Sequence, residues 1–451
     1  MNQSARPAPA TPRPYNFPAT TTTRLGSGLT VITCHLPGRG IGSARLVIDG
    51  GISREPAERA GVAMLAARGL TEGTAERDAA AFADAVERLG ADVGVDAGWD
   101  SIQASLTAPV SRLEPALALL AEAVTRPSFP AHELARLQAE RLNDIKQELA
   151  DPNQRAQLAF VESIYTPESP YARPAGGSAT TVARLDRDAV AGFYAGQSVP
   201  AHATLIVAGD LEGLDVSTTA EKLFAGWAGS NGAASLLPVA EAVDATSVTL
   251  VQRPGAVQSS VIAGHVGVPR LTPDFMAITL MVSILGGLFT SRLNLKLREE
   301  KGYTYGARAW FDFRRQAGPF GAGTAVATPV TVEAIADALA EIRRLHDEGV
   351  TPDELAFAQD YLVGVFPLAF ETPEAISQAI ARRVVYGLPD DYYQTYRDAM
   401  QAVTVEQASR AAAERLRPDR LAIVVVGDPA LEAPLTEAGF GPVSVVGDAE
   451  D

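Results

Sequence analysis

The sequence predicts an α+β fold. Two homologous α/β-sandwich domains fill the chain, each a mixed, mostly antiparallel sheet with helices on one face. Three observations point there. The first is an internal repeat. The stretch "ALALLAEAVTRPSFPAHELARLQAERLNDIKQ" has a counterpart in "IADALAEIRRLHDEGVTPDELAFAQDYLVGVF", each an amphipathic helix, a Pro-marked turn, an acidic cap and a second helix. Glu133 matches Glu354 (354 − 133 = 221), and Gly209-Asp210 matches Gly427-Asp428 (427 − 209 = 218). The second is the order within each copy: strands come early, long helices follow, and a β-branched strand closing on Gly-Asp ends the unit. The third is the join, "AGWAGSNGAASLLPVAEAVDA", whose Gly, Ser, Asn and Pro content suits a linker.

The elements follow in order. Residues 1–21, opening "MNQSARPAPATPRPYNF", are rich in Pro, Ala and Thr and read as a flexible or draped arm. They carry no apolar run of the signal-peptide kind, so a cytoplasmic location is expected, or a periplasmic or exported one if a signal has been removed. Residues 22–228 form the first domain, with strands in "LTVITCHL" and "ARLVIDGG" and a helix in "AGVAMLAARGLTEGT". The linker is placed at 229–244. The second domain, 245–451, opens with the strand "SVTLVQRP" and closes with "RLAIVVVGD".

Composition excludes several function classes. The chain has 451 residues and a formal charge of −16, from 38 basic against 54 acidic side chains, which argues against nucleic acid as a generic partner. No apolar run reaches the ~18 residues of a membrane span. The single cysteine, Cys34, excludes an intrachain disulfide and a thiolate zinc cluster. The five histidines, His35, His132, His202, His265 and His346, show no metal-ligand spacing.

Five stretches carry a family resemblance: "GLTVI", "GGISREPAERAGVAMLAARGLTEGT", "RLGADVGVDAGWDS", "LREEKGYTYGARAWF" and the two Gly-Asp strand ends. In this order and spacing the chain, from about Thr22 onward, resembles the pitrilysin/insulinase group of zinc peptidases, in the branch that includes mitochondrial processing peptidase. The catalytic subunits of that family carry HxxEH on the helix that here lies in "AGVAMLAARGLTEGT". Two histidines one turn apart hold zinc, the glutamate activates the bound water, and a carboxylate from a later helix completes the set. Laid on this chain, the pattern puts Met64 and Arg68 at the histidine positions and Ala67 at the base. The later ligand falls around Asn143-Asp144. None of the first three can do the family's chemistry, and Arg68 would repel a cation. No metal is expected in this chain.

The resemblance also implies an arginine and a tyrosine in the second copy, here Arg298 and Tyr305 in "LKLREEKGYTYGARAW". The local pattern places Arg298 near the end of a helix stopping at Gly302, and Tyr305 on the following strand. As ordinary residues, an arginine there complements the helix dipole and a strand tyrosine packs. The repeat argues for more. With Gly90 set against Gly302, Val86 faces Arg298 and Val93 faces Tyr305, so the fold itself does not require the polar pair. In the family role, Tyr305 donates to the oxygen that gains charge when a peptide carbonyl is attacked, and Arg298 holds a neighbouring substrate carbonyl. Nearby, Gly286 and Gly287 in "ILGGLFTSRL" read either as a flexible glycine-rich segment at the cleft or as a closely packed helix break.

The expected function is the Arg/Tyr-bearing, metal-free subunit of a heterodimeric zinc endopeptidase, whose HxxEH-bearing partner supplies zinc and whose substrates are peptides or unfolded segments. Two alternatives stay open. One is a non-catalytic scaffold, as the core subunits of the cytochrome bc respiratory complex are. The other is a homodimeric peptide-binding protein without hydrolysis.

Overall fold

The computed structural model describes residues 13–229 and 237–447. Residues 1–12 of the expected arm and 230–236 of the expected linker lie outside them. Two six-stranded sheets organise the rest. The first comprises β1 (Thr21–Arg24), β2 (Thr30–His35), β3 (Ile41–Asp49), β4 (Asp92–Ala97), β5 (Ser101–Pro109) and β6 (Ala203–Gly209). The second comprises β7 (Ser247–Gln252), β8 (Gln258–Val266), β9 (Ala307–Phe311), β10 (Pro319–Ala327), β11 (Ala422–Gly427) and β12 (Val443–Gly447). The order β2-β6-β3-β5-β4 in one repeats as β7-β11-β8-β10-β9 in the other, so the sequence repeat is a repeat of topology. The outer strands differ: β1 runs antiparallel to β2, and β12 runs parallel to β7.

Each sheet packs its own half's helices on one face. In the first, Leu46, Ile48, Ala104 and Leu106 meet Leu65, Leu117 and Leu120 of the helices Val62–Gly69 and Leu113–Thr125. Strand β5 shows the alternation of a strand with one fully packed face, whereas β3, β6 and β11 are buried along nearly their whole length. Continuous burial requires cover on both faces. The second cover comes from the other half. The helix Pro373–Tyr386 lays Ile376, Ala379 and Ile380 over Ile32, Val47 and Ile206 of the first sheet. The helix Pro152–Ile164 lays Ala156, Phe160 and Ile164 over Ile262, Val424 and Val426 of the second.

These two helices are equivalent in the repeat (373 − 152 = 221). They also start alike. Asp151 accepts the N–H groups of Asn153 and Gln154, and Thr372 accepts that of Ala375, each with proline as the first helical residue. Each half therefore lends the same helix to the other.

Charged and aromatic groups lock this exchange. The Arg314 guanidinium lies 4.1 Å from the Trp99 ring centroid and 4.4 Å from that of Tyr171. Arg315 donates to Asp49 Oδ1 at 2.6 Å, and its backbone N–H to Asp100 Oδ2 at 2.9 Å. Phe17, ahead of β1, is buried against Phe370 and Tyr393 of the second half. Val243, in the expected linker, is buried in the cluster under Phe160.

The helix Val62–Gly69 has a buried anchor of its own. The Glu55 carboxylate accepts N–H bonds from Gly61 (3.1 Å) and Ala63 (2.6 Å), at the positive end of the helix. Burial pushes its pKa up to about 7, against the opposing pull of those two bonds. The folded state therefore holds a proton that the unfolded chain has released above about pH 4.5. This group's stabilisation is complete below that pH and is lost as the pH rises through about 7.

Two outcomes are expected. In urea unfolding, Phe160→Ala should cost about 3–5 kcal/mol, because a fully buried ring is removed from the exchanged helix. Between pH 5 and 8, wild-type stability should fall by an amount on the order of 3 kcal/mol that Glu55→Gln, lacking the titration, does not show.

Candidate functional site

The positions that the resemblance sets against the metal motif sit on the helix Val62–Gly69, where Met64 and Arg68 are half-buried and Ala67 is buried. Arg68 Nη1 reaches Asp144 Oδ2 at 3.3 Å, on the helix Ala131–Ala150. The carboxylate at the later ligand position is thus present, and a guanidinium carried by the chain faces it. With both side chains near 40% exposed, the pair contributes at most about 1 kcal/mol. A thioether, a methyl group and a guanidinium do not fit zinc, which takes thiolate, imidazole or carboxylate donors. Among the described residues no group of three or more His, Cys, Asp or Glu side chains is placed to hold a metal ion. His265 is buried, with its ring against the Val266 carbonyl, and burial depresses its pKa to about 4.

Arg298 lies in the last turn of a helical segment, Asn294–Glu300, which ends before Gly302 at φ 63°. Gly90, its counterpart in the repeat, has φ 62°. At both places the left-handed conformation turns the chain from a helix toward an edge strand, and glycine adopts it without strain. Tyr305 departs from the sequence expectation in one respect: it lies in a bend two residues before β9 rather than on the strand. The cause is local, since the Thr304 hydroxyl accepts the Gly306 N–H at 3.1 Å and holds a turn there. Val86, opposite Arg298 in the repeat, is buried with Phe82 and Leu119, so that position serves packing in the first half.

The structure brings Arg298 and Tyr305 to one cavity of about 620 Å³. Asn153 and Ser260 line it too, with Phe289, Arg308 and Trp310. Tyr305 is 97% exposed. The Arg298 guanidinium lies over the Phe289 ring, 4.2 Å from its centroid, with Glu299 alongside at 3.5 Å. Buried Asn294 ties the parts together. Its Nδ2 donates to the Leu288 carbonyl and Ser291 Oγ, both at 3.1 Å, and its Oδ1 accepts the N–H of Ala307, the first residue of β9, at 2.9 Å. The segment carrying Phe289, the helical turn of Arg298 and the strand after Tyr305 are thus joined through one side chain.

Gly286 is buried where the segment Ser283–Gly287 crosses β9. A Cβ there would stand 2.2 Å from the Ala309 nitrogen, so this glycine permits close packing. Gly287 is exposed, and the chain after it carries Phe289 into the cavity. Sequence reasoning missed Phe289, Asn294, Arg308 and Trp310 as parts of the site. For Arg308 and Trp310 a signal existed, because they alternate with the buried Ala307, Ala309 and Phe311 along one strand. Nothing local marks Asn294.

Comparison with known proteins agrees with this architecture. Residues 30–171 match the insulinase family (peptidase family M16), and residues 184–362 match the peptidase M16 inactive domain. The chain is 24% identical over 377 residues to the non-peptidase homolog YmxG of Helicobacter pylori, covering 81% of this chain and 84% of that protein. It is 25% identical over 431 residues to an uncharacterized zinc protease of Mycobacterium tuberculosis, covering 94% and 96%. Among solved structures, a peptidase M16 inactive domain from Pseudomonas fluorescens superposes with a TM-score of 0.85 at 28% identity, over 91% of this chain and 98% of that one. A protease from Helicobacter pylori shares the fold, with a TM-score of 0.84 at 18% identity over 92% and 100%. With matched regions covering most of its length, on a fold shared with solved M16 proteins, this chain belongs to peptidase family M16.

Proposed function

We propose that this chain is the metal-free subunit of a heterodimeric M16 zinc endopeptidase acting on peptides or unfolded segments. One observation carries the reading: Arg298 and Tyr305 line a single open cavity, in a chain whose own metal motif reads Met64, Ala67 and Arg68. A homologous partner bearing HxxEH would supply the zinc and the activated water. This chain's part is electrostatic. The exposed Tyr305 hydroxyl donates a hydrogen bond to the substrate oxygen on which charge builds, and the bond is worth most where closure of the two subunits excludes water. Arg298, braced by the Phe289 ring, presents its fork of N–H groups to a neighbouring main-chain carbonyl and fixes the substrate's register.

A second reading, a subunit that binds or scaffolds without hydrolysis, draws support from the name of the Helicobacter pylori relative, a non-peptidase homolog. The two separate in one assay. The purified chain is mixed with an M16 subunit bearing HxxEH from the same source, and cleavage of a quenched fluorescent peptide is followed. Neither subunit alone should turn over substrate appreciably. In the mixture, Arg298→Ala and Tyr305→Phe should each lower kcat by about 10²–10³-fold, with the partner's zinc content unchanged. Full activity of the partner by itself, or unaltered turnover with both variants, would establish the scaffold instead.

A further inference from the structure

The residues lining the Arg298 cavity include two charged side chains, Arg298 and Arg308, and both are cationic. That is notable in a chain of net charge −16. The second cation is built in. Arg308 and Trp310 stand two residues apart on β9 and so project from one face, while Ala307, Ala309 and Phe311 are buried on the other. Across the ladder, Arg308 pairs with Gly323 and Trp310 with Gly321. Those glycines make room for the indole: a Cβ on Gly321 would stand 2.5 Å from Trp310 Cζ2, and one on Gly323 3.3 Å from Cη2. The Trp310 ring therefore lies flat across β10 as a floor. The exposed Arg308 guanidinium sits 4.9 Å from its centroid, held by the ring's π face.

We propose that this face of β9 is a subsite for an acidic side chain of the peptide, so that the chain selects substrates carrying Asp or Glu beside the segment held by Arg298 and Tyr305. The proposal rests on the peptide-handling role argued above and adds a substrate class to it. Its chemistry is simple. Arg298, stacked on Phe289 beside Glu299, is partly neutralised and addresses main-chain carbonyls. Arg308 offers a planar fork that matches a carboxylate, while Trp310 covers the apolar stem of the same side chain. Among the described residues, those lining the cavity include no carboxylate to compete for it.

The test uses the isolated full chain and direct binding, so it does not depend on turnover. Three fluorescein-labelled peptides of ten residues, identical except for two central Glu, Gln or Lys residues, are titrated by fluorescence anisotropy at low and high salt. The Glu peptide should bind about tenfold more tightly than the Gln peptide, with the margin shrinking as salt screens the contact. Arg308→Ala should bring the Glu and Gln affinities together, and Arg308→Glu should turn the preference toward Lys. Circular dichroism of both variants should match wild type, since Arg308 is an exposed side chain. A Glu-over-Gln margin that survives Arg308→Ala would overturn the subsite, as would equal binding of all three peptides or no binding of any. The two readings fail separately. Loss of the cleavage role would show as Arg298- and Tyr305-independent turnover with the margin intact, and loss of the subsite as Arg298-dependent cleavage without charge preference.

Discussion

The reciprocal exchange of one helix between the two halves is the constraint on which the rest of this molecule depends. Each sheet has two apolar faces, and its own helices cover one. The second face of the first sheet is closed by Pro373–Tyr386, and that of the second sheet by Pro152–Ile164. Withdrawing either helix would expose a sheet centre and the apolar stripe that covers it, at about 25 cal/mol for each Å². The halves are consequently one packed body, with the Arg314 and Arg315 contacts fixing their orientation at the junction. The exchange also reaches the site, because Asn153 and Ala156 of the first-half helix line the cavity that Arg298 and Tyr305 share. A cavity made from both halves keeps its shape only while they stay together.

The two halves solve one local problem in opposite ways. In each, a helix ends at a glycine of positive φ and the chain enters an edge strand. In the first half the positions before and after that glycine, Val86 and Val93, join an apolar cluster. In the second the same positions carry an arginine on an aromatic ring and an exposed tyrosine. Packing is served equally well by valine, so the polar pair adds little to folding. The helix Val62–Gly69 shows the reverse: Met64 and Ala67 carry apolar side chains, and Arg68 meets Asp144 with a cation of the chain's own.

Much of the fold was legible in the sequence, for identifiable reasons. The repeat could be read because both copies keep the same helix pair and the same Gly-Asp strand end, and both features report local backbone geometry. The positions Met64, Ala67 and Arg68 could be judged chemically without coordinates, since no fold turns a methyl group into a base. The helix stop at Gly302 was visible for the same reason, whereas the bend at Tyr305 depends on a Thr304 hydroxyl bond that hydrophobic periodicity does not encode. Asn294 was invisible: its three bonds join residues that lie up to 13 positions away and meet only after folding.

The amino-acid sequence by itself determined an α+β fold written in two copies, the helix pairs and Gly-Asp strand ends that mark them, and the functional group at each position. Those properties follow from backbone preference, side-chain period and functional-group identity, all of which are local. The tertiary structure alone decided which sheet each helix covers, that Arg68 reaches Asp144, and that Arg298, Tyr305, Arg308 and Trp310 share one cavity. An amphipathic stripe states that a helix must be covered without naming its partner, because burial of apolar surface is non-directional. Which partner it meets is fixed by the packing of the whole chain at once.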